Sequence, residues 1–378
     1  MMCGLWCSLA VSCVGREPYH PPDTQAQVDS AAPMVCEPPE EQPMRPTSPA
    51  AYADMCEPHL GVVPTVDCGA GSRIPVYVDG VEVFEDPGPG NCDNPRAGQC
   101  TPGSSLRRQT GTDPDGSPRD EVVWISFCRH DNQSEDTENH VQIIGYNYDT
   151  GATCYFGRGD NAPWTEIDDQ SMMVGVLPGP DDDGFDTAFT VPDTKICVGC
   201  HQSNPFIHTD WIDSAKLPDA PSERVVPVVN GFDTPYFVVG APEWDMRTLY
   251  IEGNACLDCH RVGMETVRLL NDGLGYPNNM MPPSAPGTMS DDYSALVDCW
   301  YNSPEDTPGC EWIVPPATGC DAQVVGAEYP NVSKTYNMGG DLDEPPSDGQ
   351  QRSAQQAAHG PLLTGQHRVA GAALGCGQ

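Results

Sequence analysis

Lysine is nearly missing from this chain: Lys195, Lys216 and Lys334 are the only three in 378 residues. With arginine included there are 18 basic residues against 55 acidic ones, a formal net charge of −37. A field of that sign repels a phosphate backbone and argues against a nucleic-acid partner. It fits a heavily solvated surface. Long hydrophobic runs are missing as well. No stretch of about twenty apolar residues occurs, so no membrane-spanning helix is expected.

Proline (40) and glycine (38) are abundant and make up about a fifth of the chain, so much of it should be loop and turn. Eighteen cysteines are many for a reducing compartment, where clustered thiols bind metal or do redox work. Disulfides in an oxidising compartment fit better.

The opening Met1-Met2-Cys3-Gly4-Leu5-Trp6-Cys7-Ser8-Leu9-Ala10-Val11-Ser12-Cys13 has the apolar stretch of a signal peptide without a positive n-region. Its small residues before Cys13 resemble a bacterial lipobox, with Ala10 where that pattern prefers Leu. The resemblance implies export and lipidation at Cys13. Residues 14–55 are dense in proline without an apolar period and read as a tether. Residues 326–378 are rich in Gly, Gln, Ala and Ser and read as a low-complexity tail.

Residues 56–190 carry a β pattern. Glu121–Phe127, Val141–Asn147 and Ala152–Phe156 are short runs of β-branched and aromatic residues, and Tyr148-Asp149-Thr150-Gly151 reads as a hairpin turn between the last two. A disulfide between Cys128 and Cys154 on adjacent strands is one expectation, and a local Cys92–Cys100 loop is another. Asp113-Pro114-Asp115-Gly116 and Asp181-Asp182-Asp183-Gly184 resemble fragments of calcium loops but lack the later oxygen ligands, so they read as turns.

Residues 191–325 read as short helices between loops. Met264–Leu270 has helical period, and Ser290 could cap a helix running to Trp300. The fold class expected is therefore α+β, a β-rich N-terminal domain followed by a mainly α, loop-rich domain.

Within that second part lie Cys197-Val198-Gly199-Cys200-His201 and Cys256-Leu257-Asp258-Cys259-His260. Two thiols separated by two residues on an incipient helical turn face one side and can add across the two vinyl groups of one haem. The histidine that follows then reaches the iron. A zinc site could use the four thiolates but gives no reason for His201 and His260 to follow both pairs. A thioredoxin-like motif would need a βαβ context that is absent.

From Val191 to Tyr301 the chain resembles the c-type cytochromes. After the second motif comes Met280-Met281-Pro282-Pro283, which looks like the distal loop of small Met/His-ligated cytochromes, and then the candidate closing helix. The resemblance implies two covalently bound haem c groups. His260 would be the proximal ligand of the second haem, and Met281, with Met280 as alternative, the distal one. Only twenty residues separate His260 from Met280, a shorter loop than is usual. For the first haem, His201 is proximal. Pro205 breaks a helix that would otherwise hold His208 on the same side, so His208 is a candidate ligand to either iron, with a contact to a propionate or to backbone as the alternative. His130, His140, Met172 and Met173 stand in reserve, and His359 and His367 lie in the tail.

Function follows ligation. With both axial positions filled by protein, the chain is an exported electron carrier, in the periplasm or at the outer membrane or cell surface. Its partners are redox proteins with basic docking surfaces, and it touches membrane only through a lipid on Cys13. With an open first haem it is a dihaem reductase or peroxidase-like enzyme. If the β-rich part does the work, the chain is a surface binding module with sensor haems.

Overall fold

The computed structural model describes residues 46–88, 91–93, 100–130, 139–158, 163–191, 201–229, 231–240, 246–258, 261–263, 290–313 and 315–316. Its centre is a meander of four long antiparallel strands, β4 (Ser105–Thr112), β5 (Pro118–Arg129), β6 (His140–Asn147) and β7 (Ala152–Arg158). β1 (Ser72–Arg73) extends one edge. On the other edge β10 (Phe189–Thr190) runs antiparallel and β13 (Phe237–Val238) parallel to β7, which makes a mixed seven-stranded sheet.

The three runs read as strands are β5, β6 and β7, and the turn between β6 and β7 is built locally. Asn147 accepts from the amides of Asp149 and Thr150, and Gly151 takes the left-handed φ of +82° that closes the hairpin. At the tip before β5, Gly116 likewise has φ +85° and its amide donates to the Asp113 carbonyl, so Asp113–Gly116 is a turn.

Both faces of this sheet are covered, which is why β5 reads as an almost continuous apolar run. On one face Val122, Trp124 and Cys128 pack with Tyr52, Cys56 and Leu60 of α1 (Pro49–Leu60) and with Phe185 and Phe189. The helix begins inside the stretch read as a tether: Ser48 caps it and Pro49 occupies its first turn, where a proline amide is not missed. Trp124 Nε1 donates to the Leu60 carbonyl at the far end, and Gly145 opposite Trp124 leaves space for the indole.

On the other face Val123, Ile125 and Tyr146 pack with Phe206, Trp211, Val225 and Val226, all from beyond residue 200. Strands and core residues from both parts of the chain therefore share one sheet.

The expectation of a mainly α second part is overturned. The described residues are 34% strand and 20% helix. Between 191 and 325 they include β11 (Lys216–Leu217), β12 (Ala220–Arg224), β13, β14 (Thr248–Ile251), β15 (Val262–Gly263) and β16 (Cys310–Ile313), against α3 (Asp210–Ser214) and α4 (Ser290–Asp306). The physical reason is that these strands are two to five residues long. Too short to show a period, they form because β7 supplies an edge for β13 and β14 supplies edges for β15 and β16, while β11 and β12 pair with each other. The helix expected from Ser290 is α4, and Met264–Leu270 lies outside the described residues.

Four disulfides are described. Cys92–Cys100 closes the expected local loop, beside the hairpin of β2 (Val76–Val78) and β3 (Val81–Val83). Cys128 and Cys154 do not pair with each other. Cys154 bonds Cys56 of α1, and Cys128 bonds Cys68, so each stitches the sheet to the chain preceding it. Both cysteines face the α1 side of the sheet. Cys299–Cys310 ties α4 to β16.

Candidate functional site

Of the six residues expected to attach haem, His201 and Cys256 are described; Cys197, Cys200, Cys259 and His260 lie outside the described residues, as do Met280 and Met281. The segments that leave both motifs are described, and they converge.

At the first motif, the half-buried His201 ring lies 5.1 Å from that of Tyr155 on β7. The Tyr236 hydroxyl, just before β13, donates to the His201 carbonyl at 2.5 Å and shares a 2.8 Å hydrogen bond with the Tyr155 hydroxyl. With the Tyr236 proton on His201, the Tyr155 proton is donated to Tyr236, and the Asn204 carbonyl lies 3.2 Å from the Tyr155 hydroxyl as its alternative acceptor. Two buried phenols thus anchor the backbone after the motif to the sheet.

At the second motif, Ala255–Asp258 forms a 3-10 turn. Asn254 organises it: its Oδ1 accepts from the Cys256 amide at 3.1 Å and its Nδ2 donates to the Asp292 carbonyl of α4 at 2.8 Å. The Asp292 carboxylate also accepts from the Ala255 amide at 3.1 Å. Leu257 packs with Tyr293, Leu296 and Val297, and Cys256 is half-buried against the same core. The turn is therefore set on α4 and on the small sheet β15-β14-β16.

Arg261, next after the second motif, joins the two. Its Nε donates to Asn204 Oδ1 at 2.9 Å, its Nη1 to the Thr234 carbonyl at 2.7 Å, and its guanidinium lies 5.7 Å from the Tyr236 ring centroid. Burial pushes it down to about 10, partly offset by the surrounding tyrosines, so it stays charged at neutral pH. Alongside, Ser203 donates to the Arg247 carbonyl, and Gln202 lies so close to Gly263 that a Cβ there would fall 2.3 Å from Gln202 Oε1.

His208 is buried, 7% exposed. Its Nδ1 is 2.8 Å from Asp213 Oδ1, and Asp213 Oδ2 is 3.0 Å from Arg224 Nη1. The carboxylate can only accept, so Nδ1 carries the proton. Nε2 is buried and has no hydrogen-bond partner among the described residues. Local structure explains the pairing. Residues 202–209 are not helical, Thr209 caps α3 by accepting from the Ile212 amide, and this short helix returns Asp213 to the residue before its cap. The β11–β12 hairpin then delivers Arg224.

An imidazole with Nδ1–H committed to a carboxylate and a buried, unpartnered Nε2 is arranged as a metal-ligating histidine is. In that respect the residues present fit a haem iron. Among the described residues, no group of three or more His, Cys, Asp or Glu side chains could hold a metal ion by itself. Two of the reserve candidates are engaged elsewhere: His130 Nδ1 is 2.7 Å from the Pro102 carbonyl and Met173 is wholly buried in the α1-side core. His359 and His367 lie outside the described residues.

Sequence reasoning missed Tyr155, Tyr236, Asn204, Arg261, Asp213 and Arg224. Arg261, adjacent to a motif, and Asp213, five residues after His208, carried a local signal; the others take part through contacts across the fold. No protein-family model, curated protein or solved structure matches this chain.

Proposed function

We propose that this protein is an exported c-type cytochrome that carries two covalent haems and passes single electrons between redox partner proteins. The observation that carries the reading is the pair of Cys-x-x-Cys-His motifs at 197–201 and 256–260. The convergence of the segments that follow them, through Asn204 and Arg261, supports two cofactors held in fixed relation.

Haem c bound at these motifs supplies a one-electron ferric/ferrous couple. The chain's own residues do the rest. Cys197, Cys200, Cys256 and Cys259 hold the groups covalently, and His201 and His260 are the proximal ligands. His208 is the distal ligand at the first haem, supported by its buried Nε2. Met281, or Met280 beside it, serves the second.

Four disulfides among the described residues support an oxidising location, the periplasm or the outer-membrane or cell surface, with Cys13 as lipid anchor. No helix among the described residues is long and apolar enough to cross a membrane. The charge of −37 supports partners with basic docking surfaces.

Protein expressed with a c-type maturation system should keep two haems per chain after denaturation, counted by haem-stained gel and pyridine haemochrome. Cys197→Ala and Cys256→Ala should each remove one. A chain that matures without haem would end the reading.

A further inference from the structure

His208, Asp213 and Arg224 form a line of three charged or polar groups in which each contact has a definite electronic sense. The imidazole donates from Nδ1 to one carboxylate oxygen at 2.8 Å, and the other carboxylate oxygen meets the guanidinium at 3.0 Å. The His208 side chain is 3% exposed and that of Asp213 16%, whereas that of Arg224 is 41% exposed. The first contact is therefore sheltered from water and the second is partly screened. At the inner end Nε2 is buried with no hydrogen-bond partner among the described residues.

Hydrogen bonding fixes the tautomer, which leaves the Nε2 lone pair for a ligand. A carboxylate accepting from Nδ1 raises the basicity of Nε2. The arginine on the far oxygen draws charge away and moderates that effect.

We infer that Asp213 and Arg224 are positioning residues that orient His208 Nε2 toward a haem iron and set the potential of that haem, Asp213 lowering it and Arg224 raising it. The inference rests on the reading of His208 as an axial ligand. Asp213 adds electron density to the donor nitrogen and so favours ferric iron. Both act through His208 alone. The arrangement is assembled by a helix cap and a hairpin, α3 and β11–β12, so it presents a tuned ligand independently of the attachment motif itself.

Spectroelectrochemical titration of the full-length dihaem protein tests this, with absorption and electron-paramagnetic-resonance spectra recorded on each variant. Asp213→Asn keeps the shape and a hydrogen-bond acceptor but removes the charge. It should raise one midpoint potential by about a tenfold change in the ferric-to-ferrous equilibrium, which is 59 mV for a one-electron couple. Arg224→Gln should lower the same midpoint by less, because that side chain is more exposed. Both variants should keep the native axial-ligand spectrum.

His208→Ala separates the two readings. If it changes neither haem's spectrum nor potential, His208 is not a ligand and the inference falls with that reading. If it changes them while Asp213→Asn and Arg224→Gln leave the potential alone or move it in the same direction, the ligand reading stands and the tuning pair is overturned.

Discussion

Arg261 Nε donates to Asn204 Oδ1 at 2.9 Å, so the residue directly after the second motif holds the third residue after the first, 57 positions away. The same guanidinium binds the Thr234 carbonyl beside Tyr236, whose hydroxyl holds the His201 carbonyl. One buried cation thus connects the exits of both motifs to the edge of the main sheet.

Arg261→Gln should therefore loosen both motifs at once. Losing hydrogen bonds from a buried charged donor, with Asn204 left short of a partner, should cost about 3 kcal/mol of stability. Arg261→Lys should recover less than half of this, since a point charge cannot serve Asn204 and Thr234 in the geometry of a planar fork. Denaturant unfolding of the three proteins measures it.

The cross-links make a covalent prediction. A non-reducing peptide map should recover Cys56 joined to Cys154 and Cys68 joined to Cys128, and a Cys128–Cys154 peptide would contradict the sheet described above. Replacing Cys56 and Cys154 together with alanine opens a loop spanning 98 residues, which the Cys68–Cys128 bond inside it shortens to about 40, and should lower stability by about 4 kcal/mol in the loop-entropy account.

Alkaline stability should depend on Tyr146. Burial raises its phenol above the ordinary tyrosine value, against the opposing positive charge of Arg261, and its hydroxyl donates to the Pro235 carbonyl at 2.7 Å. Above about pH 10 the unfolded chain loses this proton while the native chain keeps it, so the unfolded state binds fewer protons and stability falls as pH rises. Burial raises Tyr148 in the same direction. Tyr146→Phe should flatten the fall above pH 10. At neutral pH it should lose about 1 kcal/mol with the hydrogen bond. An unchanged alkaline slope in denaturation series at pH 9 to 11 would contradict this.

On the proposed function the two haems should differ, because a Met-Pro-Pro sequence follows only the second motif and a histidine follows the first after seven residues. A thioether favours ferrous iron more than an imidazole does, so the second haem should have the higher potential. Met281→Ala should remove the weak far-red sulfur-to-iron band and lower one midpoint only, while His208→Ala should open the other haem to carbon monoxide. Overlapping midpoints without a far-red band in the unaltered protein would make both haems bis-histidine.

By itself the sequence determined what is encoded over a few neighbouring residues: the strands β5 to β7, the hairpin turn at Tyr148–Gly151, the start of α4 at Ser290 and the Cys92–Cys100 loop, beside the two Cys-x-x-Cys-His motifs on which the proposed function rests. These follow from rules that act within a turn or along one strand. Tertiary structure decided the rest. The short strands of the second part take their conformation from the edges they pair with, and four residues of Thr-Leu-Tyr-Ile at 248–251 do not separate strand from loop until β15 and β16 flank them. The partners of Cys128 and Cys154, the meeting of Asn204 with Arg261, and the placing of Arg224 against Asp213 depend on which surfaces pack. Packing is a property of the folded chain as a whole, because a contact between distant residues is stable only once the elements between them have paid the entropy of taking their places.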